Sequence, residues 1–119
     1  MRISARRPPV LDRNTLADIQ ILGEETLRET VELFVADMAP RLKRLRVAAA
    51  TRAAEQINRE ARGLKGGALG VGAARLAGLC AAIEQYARNG KASEAGILVH
   101  AVEPVFDEAR RALEDLCGA

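Results

Sequence analysis

The sequence predicts an all-α protein, an up-down four-helix bundle preceded by an extra short N-terminal helix. Its 119 residues include 23 alanines and only three aromatic residues. Alanine, leucine, arginine and glutamate favour helices, whereas the residues that favour strands are few. Apolar residues also recur at steps of three and four along most of the chain, as they do on one face of a helix. The length suits one domain with its own core.

The N-terminal segment is predicted to stay outside the bundle. Residues 1–10 are basic and contain Pro8 and Pro9, which restrict their own backbone and that of the residues before them. We therefore expect a flexible basic tail over 1–10 and a single domain over 11–119. The tail lacks the apolar run of a secretory signal, so a cytoplasmic location is expected.

Two helices are predicted in the N-terminal half. The first covers about 12–22, with Asp12 or Asn14 as its N-cap and Gly23 at its end. The second passes through Pro40, which should kink it without dividing the bundle. Its apolar stripe is the clearest in the chain and consists of Leu27, Val31, Phe34, Met38, Leu42, Leu45 and Ala49.

Three further helices complete the predicted fold. They cover about 51–71, with Thr51 as N-cap, about 73–88, and about 93–116, with Pro104 inside the last one. Their apolar faces consist of Ile57, Ala61, Leu64 and Ala68 in the first, Leu76, Leu79, Cys80, Ile83 and Ala87 in the second, and Leu98, Val102, Val105, Ala109, Leu113 and Leu116 in the third. Short connections between sizeable amphipathic helices are typical of up-down bundles.

The composition excludes several classes of function. One histidine and two cysteines, 37 positions apart, cannot supply a zinc site without carboxylates or a second chain. The net charge of +2 indicates no nucleic-acid or membrane partner, and no apolar run approaches the ~20 residues of a membrane span. We expect no metal, no cofactor, no membrane insertion and a monomer.

The segment 62–72 requires a special explanation. It holds five glycines in eleven residues, and each glycine inside a helix costs about 1 kcal/mol relative to alanine. By helical geometry Gly63, Gly67 and Gly70 lie at one edge of the apolar face, where a neighbouring helix could pack closely. Gly66 lies on the opposite side, toward solvent.

The solvent-facing stripe of this helix has the composition of a docking surface. Arg62, Lys65, Gly66 and Leu69 share it. Two cations, a missing side chain and an exposed leucine therefore stand side by side.

A linked set of residues extends this motif in both directions. It consists of Leu11, Asp12, Leu22, Gly23, Phe34, Ala61, Leu64, Lys65, Gly66, Gly67, Ala68, Gly72, Ala73, Leu76, Leu79, Cys80, Ile83, Glu84, Ala87, Arg88 and Gly90. The set resembles the histidine-containing phosphotransfer (Hpt) domains of bacterial phosphorelays, whose pattern is Ala-His-x-Leu-Lys-Gly, two small residues, Leu-Gly-Ala, Leu-x-x-Leu-Cys and Leu-Glu-x-x-Ala-Arg-x-Gly. The resemblance implies a helical bundle, and a response-regulator receiver domain or a sensor kinase as partner.

One departure from the family pattern decides the functional expectation. The family has its phosphorylated histidine where this chain has Arg62. A guanidinium stays protonated and offers no nucleophilic lone pair, so we expect no phosphoryl transfer and no enzyme. His100 is predicted to be structural, because it lies in another helix and is followed by Glu103 and Pro104 rather than by lysine and glycine.

The resemblance implies that the remaining family residues can still serve the docking of a partner. Lys65 resembles the lysine that neutralises the phosphoryl oxygens, and Gly66 resembles the small residue that lets the receiver approach. Glu84 resembles the polar residue beside the phosphohistidine. Cys80 matches a common core cysteine of the family, and we expect a buried, unreactive thiol.

Three functions remain open at this stage. The first is a degenerate Hpt-like domain that binds a receiver domain or a related partner, without phosphotransfer, through Arg62, Lys65, Gly66, Leu69 and Glu84. The second is an active phosphotransferase whose natural histidine is replaced by Arg62 in this chain. The third is a scaffold bundle that binds a non-receiver protein through the same stripe.

Overall fold

Six α-helices account for the fold in the computed structural model, which describes residues 7–118. The helices are α1 (Arg13–Gln20), α2 (Glu24–Ala50), α3 (Ala54–Gly70), α4 (Ala74–Arg88), α5 (Ala92–Val99) and α6 (Val102–Leu116). Helices α2, α3 and α4 form three arms of the bundle, and α5 and α6 together form the fourth. The short helix α1 packs against α2. The predicted all-α bundle with an extra N-terminal helix is confirmed.

Helix α1 begins where the sequence predicts and ends earlier. Asp12 is its N-cap, and the carboxylate accepts hydrogen bonds from the backbone N of Asn14 at 3.1 Å and from Oγ1 of Thr15 at 2.8 Å. The helix stops at Gln20. Gly23 is instead the N-cap of α2, and its φ of 109° lies in a region that favours glycine.

Helix α2 is continuous from Glu24 to Ala50, and Pro40 lies inside it. The proline therefore does not divide the bundle, as predicted. The apolar stripe from Leu27 to Leu45 is buried throughout. At its C-terminal end the stripe reaches Ala49, which is half-buried against the core, and the neighbouring Ala48 is fully buried.

The prediction that Thr51 caps α3 is wrong. Thr51 is the C-cap of α2, and its hydroxyl donates back to the carbonyls of Val47 at 3.1 Å and Ala48 at 3.2 Å. The chain reverses through Arg52, whose φ of 54° is left-handed. Helix α3 then begins at Ala54 without a side-chain cap. A threonine serves a helix end in this way because its hydroxyl can donate as well as accept.

The predicted fifth helix is in fact two helices, divided at His100 and Ala101. Their backbone N–H groups donate to the carbonyls of Ile97 and Leu98, three residues back, which closes the end of α5. The physical reason is Pro104. In one continuous helix its ring would clash with the carbonyl four residues back, whereas a new helix starting at Val102 places the proline in the first turn, where no N–H partner is needed.

The break also changes which residues of this arm face the core. Val99 and Phe106 are buried, although the continuous stripe omitted both, while Leu98 and Val105 are half-buried and Leu116 is exposed. The ring of Phe106 lies 5.6 Å from that of Phe34 in α2. The fourth arm is therefore tied to the core through an aromatic contact.

The packing of α3 against α4 is the most extensive in the bundle, and it positions the candidate site. Both helices bury small side chains, which permit close packing: Ala61 and Ala68 in α3, and Ala77 and Ala87 in α4. Side chains on the rims of α3 and α4 are thereby brought within contact distance.

The N-terminal segment lies partly outside the described residues. Residues 1–6 of the predicted tail are among those not described, and residues 7–10 form no helix. The carbonyl of Pro8 accepts a hydrogen bond from Nε of Arg75 in α4 at 3.0 Å. Over residues 7–118, none of the helices combines the length and the apolar character needed to cross a membrane.

Candidate functional site

The predicted stripe lies on the exposed face of α3. The side chain of Arg62 is 69% exposed, and Leu69 is 57% exposed. Apart from its chain neighbours and the backbone of its own helix, no atom lies within 4 Å of the position that a Cβ at Gly66 would occupy. Lys65 is half-buried and reaches sideways to α4. The stripe thus presents one flexible cation, a leucine and an open stretch of backbone to solvent.

The other glycines of α3 face α2, with one exception. A Cβ at Gly67 would lie 2.6 Å from Cε of Met38, and one at Gly63 would overlap the guanidinium of Arg41. The expected close approach is therefore confirmed at these two positions. It is wrong at Gly70, which has nothing within 4 Å because it is the exposed last residue of α3.

The centre of the site is Glu84 on α4, whose side chain is only 4% exposed. Its Oε1 accepts a hydrogen bond from Nζ of Lys65 at 2.6 Å. Its Oε2 lies 3.4 Å from Nε of Arg62 and 3.7 Å from NH1 of Arg88. The structure brings Glu84, Lys65 and Arg62 together as one cluster, while Gly66 and Leu69 remain on the open face beside it.

The carboxylate of Glu84 is held in its charged form. The hydrogen bond from Lys65 lowers the pKa of Glu84 most, and the charges of Lys65, Arg62 and Arg88 lower it further. Burial acts in the opposite direction and is outweighed. Glu84 is therefore an anionic anchor for the surrounding cations at neutral pH.

Two members of this cluster were missed as site residues by the sequence analysis. Arg88 lies one turn after Glu84, and the spacing of four positions between an acid and a base is a signal that could have identified it. Asn58 donates from Nδ2 to the backbone carbonyl of Glu84 at 3.3 Å. No local sequence pattern predicts the contact between Asn58 and Glu84, because the two residues lie on different helices.

The guanidinium groups of Arg62 and Arg88 are held near Glu84 by charge. Among residues 7–118, neither donates a hydrogen bond with good geometry to a protein acceptor. The side chain of Arg88 is 59% exposed. Guanidinium donors of this kind suit carboxylate or phosphoryl oxygens brought by another molecule.

Cys80 lies beneath this cluster and is fully buried, as predicted. Burial raises the pKa of the Cys80 thiol to about 12, with a further contribution from the negative charge of Glu84 that outweighs the opposing effect of Lys65. The thiol is therefore not a nucleophile at neutral pH.

His100 lies in a different part of the molecule. It is the exposed C-cap of α5 and lines a cavity of about 610 Å³ between α2 and α5. Glu103, which the sequence places near it, pairs instead with Arg46 at 2.9 Å. Within residues 7–118, no three His, Cys, Asp or Glu side chains are grouped so that they could hold a metal ion.

Residues 29–119 match the family model of the Hpt domain. The chain belongs to the Hpt domain family. A search of solved structures adds a crystal structure, that of histidine-containing phosphotransfer protein B (HptB) from Pseudomonas aeruginosa PAO1. The two chains are 31% identical, the match covers 92% of this chain and 96% of the other, and the TM-score is 0.85. A comparison with curated proteins found no significant match.

Membership assigns this Hpt domain to the signalling domains of phosphorelays. Hpt domains are phosphotransfer carriers rather than catalytic enzymes, and they interact with receiver domains and kinases. The helical bundle and the resemblance drawn from the residues of α3 and α4 agree with this assignment.

Proposed function

We propose that this Hpt domain binds a receiver domain, or a related partner, without accepting a phosphoryl group. One observation carries the proposal. The exposed guanidinium of Arg62 is held over the buried carboxylate of Glu84, one turn before Lys65, and by resemblance Arg62 stands where the family pattern has its phosphorylated histidine.

The chemistry of Arg62 supports the loss of transfer. Transfer from an aspartyl phosphate requires a lone pair on the acceptor nitrogen. The guanidinium is protonated and delocalised and has none to give. The histidine of this chain, His100, lies at the end of α5 and away from Lys65 and Glu84, which are joined by a hydrogen bond.

The shape and charge of the surface support docking. Gly66 leaves the backbone of α3 open, and Leu69 offers an apolar contact beside it. The phosphorylation site of a receiver is acidic. A cationic rim around an open helix face is complementary to such a site in both charge and shape.

The first experiment combines a transfer assay with a binding titration. Receivers from the same organism are phosphorylated with labelled phosphate and mixed with the natural chain and with the Arg62→His variant. We expect calorimetric binding by the natural chain and no label on it. Labelling of the natural chain, or binding to no receiver, would contradict the proposal. A His100→Gln variant shows whether any label resides on His100.

The Arg62→His variant also addresses the phosphotransferase interpretation. Label on the introduced imidazole would show that the remaining site still supports transfer. The genomic codon for residue 62 then decides between the two interpretations, because a histidine codon would make the natural protein a phosphotransferase. An arginine codon is expected.

Chemical-shift mapping distinguishes a receiver-binding domain from a scaffold for another class of protein. We expect the receiver to perturb Arg62, Lys65, Gly66 and Leu69. Perturbation of the same four residues by a protein of another class, and no perturbation by a receiver, would favour the scaffold.

A further inference from the structure

Two guanidinium groups converge on a single buried oxygen in this structure. Nε of Arg62 lies 3.4 Å and NH1 of Arg88 lies 3.7 Å from Oε2 of Glu84. The two arginine side chains are 69% and 59% exposed, whereas that of Glu84 is 4% exposed. The carboxylate thus holds the two cations from below and leaves their outer sides open to solvent.

The hydrogen bonding of Glu84 leaves both arginines with unused donors. Nζ of Lys65 donates a hydrogen bond to Oε1 of Glu84 at 2.6 Å. Within the described part of the chain, the contacts of Arg62 and Arg88 with Oε2 are ion pairs that lack hydrogen-bond geometry. Each guanidinium carries five N–H donors in a fixed fork. The pair is therefore positioned to take oxygens from a ligand on the solvent side.

The local charge indicates the kind of ligand. Lys65, Arg62 and Arg88 surround one carboxylate, so the cluster retains a net charge of +2 when Glu84 is ionised. A ligand that carries two negative charges on several oxygens complements this cluster better than a single carboxylate does.

We propose that Arg62 and Arg88 clamp the phosphoryl group of a phosphorylated receiver, so that the domain binds this form more tightly than the unphosphorylated form. The inference rests on the proposed function and adds its regulation. An aspartate carries one negative charge, whereas a phosphoryl group carries about −1.5 to −2 and offers three acceptor oxygens. Phosphorylation of the receiver therefore adds both negative charge and acceptor oxygens for the guanidinium groups of Arg62 and Arg88. Glu84 and Lys65 act as positioning residues beneath them.

The test compares one receiver in two states. Calorimetry at constant ionic strength measures its affinity for the natural chain, first unmodified with Mg²⁺ and then with Mg²⁺ and beryllium trifluoride, a stable phosphoryl analogue. We expect the second form to bind at least about tenfold more tightly, since charge-assisted hydrogen bonds each contribute on the order of tenfold or more.

Matched variants identify the residues responsible. Arg62→Gln and Arg88→Gln should each remove most of the preference for the loaded receiver. Arg111→Gln removes the same charge from an exposed site on α6 and should leave the preference intact. Arg62→Lys keeps the charge without the fork and should give an intermediate preference.

The outcomes distinguish failure of the arginine clamp from failure of receiver binding itself. Equal affinity for the two receiver forms, or an equal loss of preference in Arg111→Gln, would overturn the clamp while leaving receiver binding in place. Binding of neither form by the natural chain would overturn both proposals.

Discussion

At the scale of single residues, the site depends on how Glu84 is surrounded. The hydrogen bond from Lys65 joins α4 to α3, Arg62 approaches from the same side of α3, and Arg88 comes from the next turn of α4. Sequence alone places Arg62 on an exposed stripe and assigns Lys65 and Glu84 by family resemblance. It does not show that one buried carboxylate organises all of them, because that depends on contacts between helices.

Replacing Glu84 should lower the free energy of unfolding at neutral pH and have less effect at acid pH. The pKa of Glu84 lies below its ordinary value of 4.5, mainly because of the hydrogen bond from Lys65. A carboxyl group of this kind stabilises the folded state above its unfolded pKa, and the contribution is lost as the pH falls through the folded pKa. We expect Glu84→Gln to lower the free energy of unfolding by about 1–3 kcal/mol at neutral pH, and this difference to shrink as the pH falls below 4.5.

Urea denaturation over a series of pH values measures the effect. Glu32→Gln is the control, since Glu32 is exposed on α2; it should cost little at any pH. A loss in Glu84→Gln that stays constant into the acid range would contradict the assigned role of the charge.

At the scale of elements, the two internal prolines of the sequence have different consequences. Periodicity places both Pro40 and Pro104 inside long apolar stripes. Helix α2 continues through Pro40, whereas the chain breaks before Pro104 and starts a new helix. Periodicity cannot distinguish these cases, because the same stripe can face the core from one helix or from two. The break occurs where the end of α5 can close on itself through backbone hydrogen bonds.

Substitution of the two prolines should therefore affect stability unequally. Pro40→Ala restores a backbone donor in the interior of α2 and removes a ring clash, so we expect it to raise the free energy of unfolding by about 1–3 kcal/mol. Pro104→Ala should change it by less than about 1 kcal/mol, because the proline lies in the first turn of α6. Chemical denaturation of the two variants provides the comparison. Equal effects would show that the two prolines have equivalent environments.

At the scale of the whole molecule, the proposed docking surface combines side chains and backbone from two helices. The chain is nearly neutral overall, with a net charge of +2, yet three cations surround one carboxylate where α3 meets α4. Position 66 of α3 is a glycine although no side chain or neighbouring helix near it requires one. An internal requirement does not explain that glycine, whereas contact with another molecule would.

Gly66→Ala should therefore separate stability from binding. Alanine is the better helix former and meets nothing within 4 Å, so we expect a gain of about 0.5–1 kcal/mol in the free energy of unfolding. The added methyl group should weaken receiver binding by hindering close approach. Gly70→Ala is the control, because it also meets nothing within 4 Å but lies outside the predicted stripe. Calorimetry on both variants would contradict the docking surface if Gly66→Ala bound the receiver as tightly as the natural chain.

The helical class, most of the buried faces, the exposed stripe of α3 and the arginine at position 62 can be read from the sequence alone. These follow from periodicity and composition, which act over a few turns of one helix. Three other features depend on how the chain packs in three dimensions: the division of the fourth arm, the role of Thr51 as a C-cap, and the convergence of Lys65, Arg62 and Arg88 on Glu84. Lys65 and Glu84 are 19 positions apart, and their contact exists because small buried residues let α3 and α4 pack closely. Contacts of this kind depend on how helices meet, which no local pattern in the chain specifies.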